Sequence, residues 1–172
     1  WRDPSLLSKY LSFAWNHLET DSNAFRGAAG RDKIRDRLAD RWRTFLKQNA
    51  ASEKTHPAIQ PWRALAAIPA NQFKEKSAAV LASLPADPAA CNPVVAGRLR
   101  EAAPLQSFDD VVKVYAALFV EHRADEELPE NDREAIRRLL MSSGSPMTAD
   151  VADADNFFTR QDQSQMVKFR NE

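Results

Sequence analysis

The side chains in this chain with the chemistry to hold a metal or move a proton are three histidines, one cysteine and several close carboxylate pairs. No two of His17, His56 and His122 stand three or four residues apart, the spacing that puts two ligands on one helix face. His17 and His122 fall late in predicted helices, where an imidazolium complements the C-terminal dipole. His56 precedes Pro57 and is expected to hydrogen-bond within a turn. The carboxylate pairs are Asp109 with Asp110, Glu126 with Glu127, Asp132 with Glu134, and the trio Asp150, Asp153 and Asp155. Glycoside hydrolysis needs two such groups, one with its pKa raised by burial. Most of these acids stand at predicted helix starts, which the macrodipole favours anyway. The run from Asp150 to Asn156 loosely resembles a calcium loop but lacks its glycine and its closing bidentate glutamate. Cys91 lies near a predicted helix N-terminus, where a thiol can acidify, but no motif supplies it with a base.

Four tryptophans complete the set. Trp42 falls on an apolar stripe and is assigned to the core. Trp62 sits in a proline-flanked turn. Trp15 lies off the stripe of its helix and Trp1 begins the chain, so these two are the candidate aromatics for an interface or for stacking on a sugar ring.

Composition narrows the function classes. Lys plus Arg is 24 and Asp plus Glu is 24, so the formal charge is zero with neutral histidine. Binding a nucleic-acid duplex needs a surplus of cations to displace condensed counterions, and none exists here. One cysteine cannot form an intrachain disulfide, build a cysteine-rich zinc site or supply the C-x-x-C-H of covalent haem attachment. Pairing a histidine with Met141, Met147 or Met166 on haem has the right ligand types and no supporting motif, and no cofactor is expected. No apolar run approaches the ~20 residues of a membrane span. Trp1-Arg2-Asp3-Pro4 does not open like a signal peptide, and the chain reads as a piece of a longer protein.

The elements that must position these residues are helices. Four glycines against ten prolines, with abundant Ala, Leu, Arg and Glu, disfavour strands. A first helix is predicted after Asp3-Pro4, with Leu6, Leu7, Tyr10, Phe13, Ala14 and Leu18 on one face. FRGAAG (25–30) is predicted to be loop. A second helix, about 31–48, carries Ile34, Leu38, Trp42, Phe45 and Leu46. Then comes a corner: His56, Pro57, Pro61, Trp62 and Pro69, with a short helix ending before that last proline. Further helices are predicted from an Asn71 cap, from Asn92-Pro93, from a Ser107/Asp110 capping box, and from the acidic stretch after Pro129. Two more are expected over 150–158 and 160–172, the last continuing beyond Glu172.

The order of these motifs is familiar. It runs RW-x-x-FL (Arg41 to Leu46), HP-x-x-x-PW-x-ALA-x-IP (His56 to Pro69), F-x-x-K (Phe73 to Lys76) and NP-x-V (Asn92 to Val95). SF-x-x-V-x-x-x-YA-x-LF (Ser107 to Phe119), LPENDREAIRRLL (Leu128 to Leu140) and a small-residue SP loop follow. From Asp40 to Phe169 the chain resembles the middle section of large exported multidomain proteins of planctomycetes and related, verrucomicrobial-type bacteria. Those proteins join a cytochrome-c-like module, a planctomycete cytochrome-associated domain of unknown function and a C-terminal domain of unknown function. The resemblance implies an exported, periplasmic or cell-envelope location, and neighbouring domains of the same parent as partners. It carries over no catalytic residue and no haem ligand.

The sequence therefore predicts an all-α, irregular bundle of about seven or eight helices with proline-bearing loops. Residues 1–145 are expected to form the domain and 146–172 a helical extension toward a C-terminal module. The expected role is a non-catalytic scaffold or interaction domain. The alternatives are a polysaccharide-binding module using exposed aromatics, and a glycan-active enzyme segment using a carboxylate pair.

Overall fold

Several helix starts in this chain are set by short polar side chains, two of them followed by proline. Asp3 accepts a hydrogen bond from the Ser5 N–H at 2.8 Å, Asp21 from Asn23 and Ala24 at 3.0 Å each, and Asn92 from Val94 and Val95 at 3.1 and 3.2 Å. Each satisfies backbone donors that a first turn leaves without partners. A computed structural model describes residues 1–50, 55–123, 130–142 and 144–148, and among them all regular structure is helical. The elements are α1 (Pro4–Asn16), α2 (Ser22–Arg31), α3 (Asp36–Ala50), α4 (Gln60–Ala66), a 3₁₀ turn (Ala70–Gln72), α5 (Phe73–Ser83), α6 (Pro93–Glu101), α7 (Phe108–Glu121) and α8 (Asn131–Leu140). Eight α-helices without a strand among the described residues make the all-α bundle that the apolar periodicity predicts.

The most apolar of the long helices, α7, is the centre of the bundle and packs against α1, α4, α6 and α8, while α3 closes on α1. Val111, Val112, Tyr115, Ala116, Leu118 and Phe119 are buried along it. Asp110 accepts from the Gln106 N–H at 2.9 Å and the Ser107 N–H at 3.3 Å, one half of the expected capping box.

Several expectations are corrected. The FRGAAG stretch is helical: it belongs to α2, whose buried residues Phe25, Ala28 and Ala29 follow the i, i+3, i+4 spacing while Gly27 and Gly30 face outward. The next helix begins at Asp36 rather than Arg31, because α2 ends in a left-handed residue. Lys33 has φ of 54°, its N–H donates to Gly30 at 3.3 Å, and the Ile34 N–H reaches back to Ala29 at 2.8 Å. That is the Schellman pattern. Leu6 does not join the apolar face of α1; it is 48% exposed, and Leu11 is buried instead. Asn71 is not a helix cap; it lies inside the 3₁₀ turn, and Gln72 precedes α5 with no capping side-chain bond. Val80, Val94 and Val114 are half-buried rather than fully inside. The expected helices over 150–158 and 160–172 lie outside the described residues.

Candidate functional site

The corner between α3 and α5 is built around the indole of Trp62; Trp42, equally without solvent exposure, lies on α3 against Trp1, Phe45 and Phe119. Pro57 opens the turn and Pro61 takes an early position in α4, where a missing N–H costs nothing. His56 Nδ1 accepts from the Ala58 N–H at 3.2 Å, so the imidazole is neutral at that nitrogen. Burial pushes its pKa below 6.5. Pro69 ends the segment and heads the 3₁₀ turn. The Trp62 ring meets Trp15, Phe108 and Tyr115 edge-on, with centroids 5.6, 5.1 and 5.1 Å away. The buried Tyr115 hydroxyl accepts from the Trp62 N–H at 3.0 Å and donates to the Ala58 carbonyl at 2.8 Å. Its pKa is raised well above 10 by burial, so it stays a neutral donor and acceptor. One phenol thus holds the turn to α7.

The titratable groups also have structural positions. His17 and His122 occupy the C-caps of α1 and α7. His122 Nδ1 bonds the Leu118 carbonyl at 2.9 Å, and its buried Nε2 has no partner among the described residues, nor have the buried indole N–H groups of Trp42 and Trp62. Asp109 accepts from the Ser12 hydroxyl at 3.0 Å. Asp110 is held below the usual carboxylate range, first by the Gln106 N–H and then by Lys113. Asp132 and Glu134 lie in the first turn of α8, and the buried Glu134 is gripped by Arg137 at 2.6 and 2.8 Å and by Arg138 at 2.8 Å. Cys91 is buried, and burial raises its pKa. Glu126, Glu127, Asp150, Asp153 and Asp155 lie outside the described residues. Among the described residues no three His, Cys, Asp or Glu side chains gather as a metal site would require, and no helix is long and apolar enough to cross a membrane.

The two candidate aromatics separate. Trp15 is half-buried in the Trp62–Phe108 cluster, its ring 5.6 Å from Phe108. Trp1 is also half-buried, edge-on to Tyr10 at 4.9 Å and to Trp42 at 5.8 Å, and its indole N–H donates to the Pro146 carbonyl at 2.9 Å. Trp1, unlike Trp15, lines a surface groove of about 680 Å³, with Leu6, Tyr10, Leu38 and Met147 forming its apolar wall. Arg2, Arg35 and Arg123 give it cationic neighbours, and Asp3 is also at its edge. The Arg123 guanidinium donates to the Trp1 carbonyl at 3.3 Å. Arg41 donates to the carbonyls of Ser145 at 3.3 Å and Thr148 at 2.8 Å, the residues on either side of Pro146 and Met147, which line the groove. Residues 146–148, placed in the extension by sequence, are thereby tied to the body of the bundle.

Sequence reasoning found Trp1 and missed the groove, because its other walls come from three distant segments and Leu6 had been assigned to the core. A second recess of about 280 Å³ between α2 and α3 mixes Arg26, Arg37 and Arg43 with Asp36 and Asp40. There the Arg43 guanidinium lies 4.1 Å over the Phe25 ring and donates to the Thr20 carbonyl at 2.8 Å. Mixed signs and internal pairing leave that recess without a clear ligand chemistry. No family model, curated protein or solved structure matches this chain.

Proposed function

We propose that this chain is a non-catalytic interaction domain that docks an adjoining module of its parent protein through the groove beside Trp1. The observation that carries this reading is Leu6, 48% exposed on the wall of an apolar groove with arginines at its margin. An apolar centre with a charged margin is the anatomy of a protein–protein contact. Among the described residues, His17, His122 and Asp110 sit at helix ends, His56 and Tyr115 hold the turn, and Glu134 pairs with Arg137 and Arg138. The motif order from Arg41 to Leu140 adds the context: a scaffold segment of an exported, cytochrome-associated multidomain protein. Binding between this domain and its parent's flanking modules, measured by sedimentation velocity, tests the role. Leu6→Asp should weaken it at least about tenfold, the effect of losing roughly 1.4 kcal/mol. Undiminished binding by that variant would sink the assignment of the groove.

A polysaccharide is the second reading, favoured by one fact: Trp1 and Tyr10 share the groove with Arg2 and Asp3. Aromatic and polar side chains side by side suit a sugar ring. Titration with neutral and sulfated polysaccharides separates the two, since saturable quenching of tryptophan fluorescence would favour the sugar.

A further inference from the structure

The groove carries its own tether. Met147 lines it, Arg41 fixes the Thr148 carbonyl at 2.8 Å, and the polypeptide continues from that point. The ten residues that follow read ADVADADNFF (149–158): three carboxylates, Asp150, Asp153 and Asp155, and then Phe157-Phe158. That chemistry is complementary to the groove, which sets Arg2, Arg35 and Arg123 around Trp1, Leu6 and Leu38. We infer that Ala149–Phe158 docks in this groove in cis, with the phenylalanines covering Leu6 and the carboxylates facing the arginines.

The inference rests on the docking reading above and deepens it: the segment fills the groove in the free chain, and an adjoining module binds there by displacing it. Ten residues reach about 15 Å as a helix and roughly 33 Å when extended, so a segment that starts at the groove's edge can return over it. A groove of about 680 Å³ falls within the ~300–1,000 Å³ of clefts that enclose a ligand of a few rings. The tether strengthens the contact further. A short linker gives an effective concentration on the order of millimolar, so even a weak contact is populated and a rival must displace it. Any module following residue 172 would then leave the bundle in a set direction rather than on a free leash.

Cross-linking in the full chain tests this. Leu6→Cys with Phe158→Cys should form an intramolecular disulfide under mild oxidation at least about tenfold faster than Ala79→Cys with Phe158→Cys, given the local concentration. Ala79 is exposed on α5, whose main helix neighbours are α4 and α6 rather than α1 and α3, the helices that carry Leu6 and Leu38, and the native Cys91 is buried and will not compete. Replacing Asp150, Asp153 and Asp155 with Asn should erase that advantage, as should high salt. Equal rates for the two pairs overturn the inference, and so does a product linked between two chains, which would make a second copy the occupant. Leu6 is exposed, so its cysteine variant should fold. A separate alkylation measurement on Leu6→Cys alone should show protection that Phe157→Ala/Phe158→Ala removes; alkylation at the Ala79→Cys rate counts against the segment. If cross-linking fails while module binding still depends on Leu6, the docking reading survives without this occupant. If cross-linking succeeds while modules bind regardless of Leu6, the reverse holds.

Discussion

Two buried polar side chains hold more of this molecule than their size suggests. The Tyr115 hydroxyl serves the Trp62 N–H and the Ala58 carbonyl together, and neither can reach water. Tyr115→Phe leaves both unsatisfied and should lower unfolding free energy by about 1–3 kcal/mol, read as a shift in denaturant midpoint at constant slope. Asn92 caps α6 with its carbonyl oxygen, donates its amide to the Asp132 carbonyl at 2.7 Å, and gives its backbone N–H to Pro57 at 3.0 Å. It therefore joins the corner, α6 and the start of α8. Asn92→Ala should cost about 2 kcal/mol, more than a cap alone on a surface helix, and Asn92→Asp, which keeps the cap and loses the amide donor, should fall between. The cap was legible from Asn-Pro at 92–93. The bond to Asp132 was not, because forty residues of sequence carry no trace of which carbonyl an amide will meet.

At the level of elements, legibility followed the strength of local signals. Proline-marked starts and the long stripes of α3 and α7 were readable, since caps and periodicity act within a few residues. The short helix α2 was not, because two glycines outweighed a three-residue apolar stripe. Leu6 was misplaced because a face about 100° wide admits neighbours on either side, and only the packing partner decides between Leu6 and Leu11. The α2 terminus makes a prediction of its own. Lys33 holds a left-handed conformation that costs an L-residue about 1–2 kcal/mol, partly offset by glycine's larger entropy when unfolded. Lys33→Gly should therefore stabilise the chain by up to about 1 kcal/mol in thermal or denaturant melts, and a loss of stability would contradict the Schellman ending. The corner makes another. His56 is neutral in the fold with its pKa depressed from 6.5 by burial, so its contribution is complete above pH 6.5 and is lost as pH falls toward the folded value. Stability should decline below pH 6.5 in the native chain. In His56→Asn, whose side-chain oxygen can accept the same turn bond without titrating, that part of the decline should vanish.

The whole molecule joins a bundle interior rich in aromatic edges to one surface groove with an apolar wall. Trp42, Trp62, Tyr115 and Phe119 form a continuous run of ring contacts through the middle, Trp42 stacked on Phe119 at 6.0 Å and Phe119 edge-on to Tyr115 at 5.6 Å. The groove stands at one end of that run, where Trp1 touches Trp42. Only the aromatic interior could be anticipated; a groove assembled from residues 1–10, 35–38, 123 and 146–147 is a property of topology. The sole sulfhydryl sits beside Asn92, sealed in the junction that unites the corner, α6 and α8. Cys91 is thus a natural clock for that junction. Thiol reagents should label the folded protein only as fast as the junction breathes, and Asn92→Ala should quicken labelling by roughly 30-fold, the factor that about 2 kcal/mol implies. A native chain that labels at the speed of a free thiol would mean that the seam stands open.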